Sequence, residues 1–173
     1  MDGTKPYSAT CTSGKRLIAS DGDPLPEPSL YHHIISALQY CTLTRPGISF
    51  TVNQLCQFLH CPTPTHLSAA KRMLCYLKGT SDFGLLFTKG SLHLYAYCDS
   101  DWAGDPSDCR STGGYGVFLG SSLISWHAKK QPVVSRSSTE AEYRSLAVTI
   151  AELYWLRMLF RELQVWLPTP PKI

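Results

Sequence analysis

Paired cysteines are missing from these 173 residues: there is no CxxC, and the seven cysteines are odd in number and scattered at Cys11, Cys41, Cys56, Cys61, Cys75, Cys98 and Cys109. That argues against a disulfide framework and points to a reducing, intracellular setting, cytoplasmic or nuclear. Cys56, His60, Cys61 and His66 match no zinc-finger spacing, and Pro62 and Pro64 interrupt them, so a helix end with a buried thiol is the expectation there. No apolar run approaches ~18 residues and no signal-type apolar region opens the chain, so neither a membrane span nor a secretory leader is expected. Internal repeats are absent. Charge is sparse too: 16 Lys and Arg against 13 Asp and Glu leave a net +3. Dedicated nucleic-acid domains are more basic, so this total permits nucleic-acid contact without arguing for it. Placement says more. Lys71, Arg72 and Lys78 gather in one segment, and Lys129, Lys130 and Arg136 in another. Each group reads either as a phosphate-facing patch or as a solvated basic face.

What is present falls into three stretches. Residues 1–27, rich in Gly, Pro, Ser, Asp and Thr and without periodicity, predict an extended linker. Residues 28–82 predict three short helices. In the first, Leu30, Ile34, Ile35, Leu38 and Tyr40-Cys41 lie on or near one face. The second opens at Thr44-Arg45-Pro46 and buries Ile48, Val52, Leu55, Cys56 and Leu59. The third runs from about Thr65 to Gly79 with Leu67, Ala70, Leu74 and Leu77 inward. Over residues 83–173 the period switches to two. Short strands are expected at Phe83–Phe87, Leu92–Cys98, Tyr115–Leu119 and Leu123–His127, the last two joined as a hairpin through Gly120-Ser121-Ser122. A long helical stretch follows to about Leu163, with a break near Thr149 and prolines beyond it.

Two carboxylates stand at the junctions of these elements. Asp99 ends a strand, and Glu140 lies in the first turn of the long helix. Each has a plain reading. Asp99 suits a turn at a strand end. Glu140 suits a capping box with Ser137, and Thr139 with Glu142 offers a second, overlapping box. Each also has a chemical reading, because acids on a strand end and a facing helix can share metal ions roughly 3.5–4 Å apart and act on phosphodiesters.

The two acids sit within an ordered set of motifs: Tyr97-Cys98-Asp99-Ser100-Asp101-Trp102-Ala103-Gly104-Asp105, Arg110-Ser111-Thr112-Gly113-Gly114-Tyr115, Ser125-Trp126 and Ser138-Thr139-Glu140-Ala141-Glu142-Tyr143. The set resembles the ribonuclease H domain of Ty1/copia-type retrotransposon polyproteins. Upstream, Ala37-Leu38-Gln39-Tyr40, Thr44-Arg45-Pro46, Ile48-Ser49-Phe50 and Lys71-Arg72-Met73-Leu74-Cys75-Tyr76-Leu77-Lys78-Gly79-Thr80 resemble the end of the same family's reverse transcriptase. The likeness runs from about Lys5 to Leu163. It implies an α/β chain (α+β overall): a short helical segment, then an incomplete ribonuclease H-like mixed sheet with a long C-terminal helical stretch. It implies that Asp99 and Glu140 bind two catalytic Mg²⁺ ions that activate water against the RNA strand of an RNA–DNA hybrid. The implied partners are that hybrid and the rest of the polyprotein; from the placement of charge, any affinity for the hybrid is expected at Lys129, Lys130 and Arg136, with Lys71 and Arg72 as further candidates. Asp101 is a weaker ligand candidate, and Glu142 lies too far round the helix.

The sequence also departs from the family. A third acid, expected on a strand after the helical stretch in a Tyr-Cys-Asp-Asn-like motif, does not follow Leu163, where Gln164-Val165-Trp166-Leu167 leads into prolines. The polymerase's Asp-Asp pair is absent, and Gly47 and Leu67 replace the family's usual Asp and Trp. The expectation is therefore a fragment with little cleavage of its own. It should self-associate through the edge strand Leu92–Cys98 unless Val165-Trp166-Leu167 folds back onto it. The rival is a non-catalytic remnant that binds nucleic acid or is inert, and the opening Met1-Asp2-Gly3, within a segment that is internal in the family, favours it.

Overall fold

The computed structural model describes residues 3–11, 16–19 and 21–173. It divides into two compact units, Met1–Gly84 and Leu85–Ile173. Among the described residues no helix is long and apolar enough to cross a membrane. All seven cysteines are free.

The first unit is helical. It contains α1 (Ser29–Cys41), a single 3-10 turn over Pro46–Ile48, α2 (Ser49–Cys56) and α3 (Pro64–Gly79). Pro46 sits at the first position of its turn, where its missing N–H is no loss. Tyr31, Ile35, Leu38, Ile48, Val52, Leu55, Ala70 and Met73 make the core. This corrects the expected inward face of α1. Leu30 and Tyr40 are exposed, and Tyr31 is fully buried, its hydroxyl donating to Leu55 O at 2.7 Å. A tyrosine can go inside when its polar tip finds a carbonyl. In α3 the buried stripe is His66, Ala70 and Met73, flanked by the partly buried Leu67, Leu74 and Leu77. His66 closes the helix: the Thr63 N–H donates to His66 Nδ1 at 3.0 Å, so a side chain in a zinc-like cluster serves as a cap. The described part of residues 1–27 has no helix or strand. Leu17 and Leu25 nevertheless pack against the core, the Leu25 N–H donates to Pro62 O at 2.8 Å, and the Arg72 guanidinium lies 4.2 Å from the centre of the Tyr7 ring. The remainder of that stretch lies outside the described residues.

The second unit carries β1 (Leu94–Asp101), β2 (Thr112–Leu119), β3 (Ser122–Lys130) and α4 (Ser138–Glu162). The strands form one antiparallel sheet in the order β1-β2-β3. Gly120, at φ 57°, and Ser121 make the two-residue turn between β2 and β3, a backbone path that suits glycine. Leu94, Ala96 and Val117 pack under Leu153 and Leu156 of α4, which gives the unit its core. Chain order and layers are those of the expected α/β fold.

Four details differ from expectation. Phe83–Phe87 forms no strand, and Phe83, Leu86 and Phe87 stand in solvent: five apolar residues interrupted by a glycine find no ladder to join. α4 is unbroken through Thr149, whose hydroxyl donates back to Ser145 O at 2.8 Å without stopping the helix. The sheet's parallel member is a single bridge rather than a strand: the Ala96 N–H donates to Lys172 O at 2.9 Å, and the Lys172 N–H donates to Leu94 O at 3.2 Å. The tail thus reaches the β1 edge through Lys172. Of the residues expected to cover that edge, Leu167 packs against the core instead.

Candidate functional site

The pleat of the sheet decides where Asp99 points. Asp99 pairs with Gly114, and Ser100 with Gly113. A Cβ on Gly113 would lie 3.3 Å from Ser145 Oγ of α4, so the Ser100–Gly113 pair faces the helix. Asp99 and Gly114 therefore face the other way, on the side where Tyr95 and Tyr97 meet Phe118. Asp99 is exposed there. What it offers α4 is its main chain: the Ser145 hydroxyl lies 2.9 Å from Asp99 O and 3.2 Å from Gly114 O.

One buried amide gathers the surroundings of both acids. Gln131 Nε2 donates to Ala141 O at 3.0 Å and to Ser100 Oγ at 3.3 Å, while its Oε1 accepts from Ser135 Oγ at 3.0 Å. The residue after Asp99 and the residue after Glu140 are thus tied to the same side chain, and both acids belong to one corner of the sheet.

Glu140 is fully engaged at that corner. Its N–H donates to Ser137 Oγ at 3.1 Å, the cap expected from the sequence. Its Oε2 accepts from the Arg136 N–H at 2.8 Å, and its Oε1 accepts from Arg144 Nη2 at 2.8 Å and Nε at 3.2 Å. The bonds from Arg144, followed by the bond from the Arg136 N–H, hold its carboxyl below the usual range.

The expected phosphate-facing cations are placed differently from one another. Lys130 is held between Asp105 and Asp108, 2.9 Å from the latter, and so braces the loop between β1 and β2. Burial would raise the Asp105 carboxyl, but the Lys130 hydrogen bond and its companions outweigh that and leave it below the usual range. Lys129 and Arg136 are exposed. Lys129 edges a cavity of about 520 Å³ between the sheet and α4, with Tyr115, His127, Arg144 and Val148 on its walls. Burial first, and then Lys129, push the His127 imidazole down. Lys71 is exposed in the first unit, where Arg72 is occupied by Tyr7.

Carboxylate oxygens are the right donors for Mg²⁺. As arranged, however, both Glu140 oxygens accept N–H bonds and Asp99 leaves the sheet on the far face. Among the described residues no group of three or more His, Cys, Asp or Glu lies together as a metal site. Gln131 and Ser145, which assemble the corner, were not singled out from sequence. Ser145 carried the one usable signal, a small residue one turn after Ala141 on the helix's inner face.

The chain is 49% identical over 170 residues to a retrovirus-related Pol polyprotein from transposon RE2 of Arabidopsis thaliana, and equally to that from transposon RE1. Each match covers 98% of this chain. The chain belongs to the copia-type retrotransposon Pol polyproteins. It spans 12% of the length of each of these relatives. A secreted RxLR effector protein of Plasmopara viticola is 43% identical over 133 residues, which cover 76% of this chain and 94% of the effector. No family model and no solved structure matches the chain. Within the Pol family, the corner described above is the part of this chain that carries its two motif acids.

Proposed function

We propose that this stretch joins the end of a reverse transcriptase to the start of a ribonuclease H domain, and that its role in the polyprotein is to engage an RNA–DNA hybrid. Asp99 and Glu140 are then two of the acids of a Mg²⁺-dependent hybrid nuclease whose site this stretch does not complete. The observation that carries the reading is the Gln131 bridge, which brings the neighbours of both motif acids to one sheet corner in a chain of Pol type. When bound, Mg²⁺ would supply water activation and charge neutralisation. The chain's own residues do the rest. Gln131 and Ser145 fix the strand and helix, Arg144 holds Glu140 ionised, and Lys129 and Arg136 meet phosphates.

The test is binding and cleavage of a hybrid carrying a labelled RNA strand. The chain should bind at low salt, with a log–log salt slope near −0.9 for each phosphate neutralised, and Lys129→Ala with Arg136→Ala should flatten it. With Mg²⁺ the 173 residues should cleave little. No binding at low salt would overturn the role. Robust cleavage abolished by Asp99→Asn would confirm the acid and overturn the claim that the site is incomplete.

A second reading, a non-catalytic protein, is favoured by the structural use of both Glu140 oxygens, one accepting from the Arg136 N–H at the helix start and the other from the Arg144 guanidinium one turn on. It requires that Asp99→Asn leave Mg²⁺ affinity and hybrid binding unchanged.

A further inference from the structure

We propose that the C-terminal half of α4 and the tail behind it form a binding groove for single-stranded nucleic acid, at the opposite end of the helix from the acidic corner. Tyr154, Arg157 and Arg161 recur at spacings of three and four, which puts them on one face of α4, and all three are exposed. Past the helix the chain turns at Gln164, φ 58°. Trp166 and the following prolines then line the same groove, a cavity of about 530 Å³.

Three properties of the groove select its ligand. First, among the described residues neither Arg157 nor Arg161 makes an ion pair. Two like charges one turn apart disfavour a helix unless an anion joins them, and a phosphodiester backbone supplies anions in series. Second, the rings are presented rather than packed: Trp166 is 78% exposed and Tyr154 64%. Aromatic faces beside arginines are how sequence-tolerant grooves hold unpaired bases. Third, Pro168, Pro170 and Pro171 restrict the wall that carries Trp166, so little ordering is left for binding to impose. A duplex keeps its base faces stacked and gains nothing from Trp166. An acidic peptide uses the arginines and leaves the rings idle. A single strand uses both.

The groove shares no residue with Lys129, Arg136 or the acids, so it stands or falls apart from the hybrid reading. The experiment is fluorescence anisotropy of the full chain with a labelled oligothymidylate of about twelve nucleotides, between ~50 and ~200 mM salt. Trp166→Ala should weaken binding about ten-fold, the scale of one lost base stack, and Trp166→Phe should keep most of it. Arg157→Ala with Arg161→Ala should reduce the log–log salt slope by about 1.4, and the double Lys variant should restore it. In a Lys129→Ala, Arg136→Ala background the loss on Trp166→Ala should persist, which separates the groove from that patch. Circular dichroism melting checks that each variant is folded. No binding at ~50 mM salt, binding indifferent to Trp166, or displacement by polyglutamate as readily as by oligothymidylate would each overturn the proposal.

Discussion

His66 works only as a neutral imidazole. Its Nδ1 accepts the Thr63 N–H at 3.0 Å, its Nε2 lies 3.2 Å from Ile18 O, and its ring stacks on Phe58 at 3.9 Å. Burial holds its pKa below the ordinary value near 6.5. The unfolded chain therefore takes the proton first. The contribution to stability is whole above that value and is lost as pH falls through the window beneath it. Melting followed from neutral pH to about 5 should show the loss, on the order of the 1 kcal/mol of a helix cap. His66→Gln, which keeps a capping-box partner and cannot titrate, should flatten the profile. At the far end of the chain Gln164 occupies the left-handed position of a helix terminator: the Val165 N–H donates to Phe160 O at 2.8 Å and the Gln164 N–H to Arg161 O at 3.1 Å. Glycine adopts that backbone without the Cβ cost, so Gln164→Gly should raise the melting point, by roughly 0.5–1 kcal/mol in stability. Neither role was legible from sequence. A histidine three residues after a threonine, among cysteines, suggests metal as readily as a cap, and a lone glutamine carries no turn signal.

At the scale of elements, the strand β1 carries the unit. One face packs under α4, and its inner edge pairs with β2. Its outer edge is covered at Leu94–Ala96 by Lys172, with His93 Nδ1 3.0 Å from Thr169 Oγ1 nearby. Lys172→Pro removes the N–H that reaches Leu94 O and uncovers an apolar edge. Light scattering at tens of micromolar should then show more self-association than in the parent chain, and equal scattering would show that this edge is not what associates. The strands and helices were legible where period and composition agreed, as in β1 and in the Ser137-capped start of α4. The Phe83–Phe87 run had strand composition and no partner, which is a property of the fold rather than of the run. Gly113-Gly114 hid the first half of β2, because glycine carries no alternation to read, and only the packing against Ser145 shows why a bare backbone is needed there. Gly113→Val should cost about 1–3 kcal/mol by overpacking the strand–helix contact, measurable by denaturant unfolding.

For the whole molecule, the family was legible because several motifs stand in order along one chain, and the comparison with Pol polyproteins agrees over nearly all of it. The cation map was less legible. Lys129 and Lys130 are neighbours in sequence and both line the cavity beside α4, yet Lys129 is exposed and Lys130 is locked between two aspartates. The difference lies in the Asp105 and Asp108 carboxylates that the loop between β1 and β2 brings to Lys130, and no count of charge shows it. The Lys172 bridge has a metric consequence. It runs parallel to β1 with Tyr95 opposite Lys172, and Asp99 lies four residues further along. Any strand continuing that pairing in step would bring its fourth residue past Lys172 alongside Asp99, while a slip of one residue would turn that side chain to the other face. One pair of hydrogen bonds thus acts as a ruler, fixing in advance which residue of an incoming strand can meet the carboxylate.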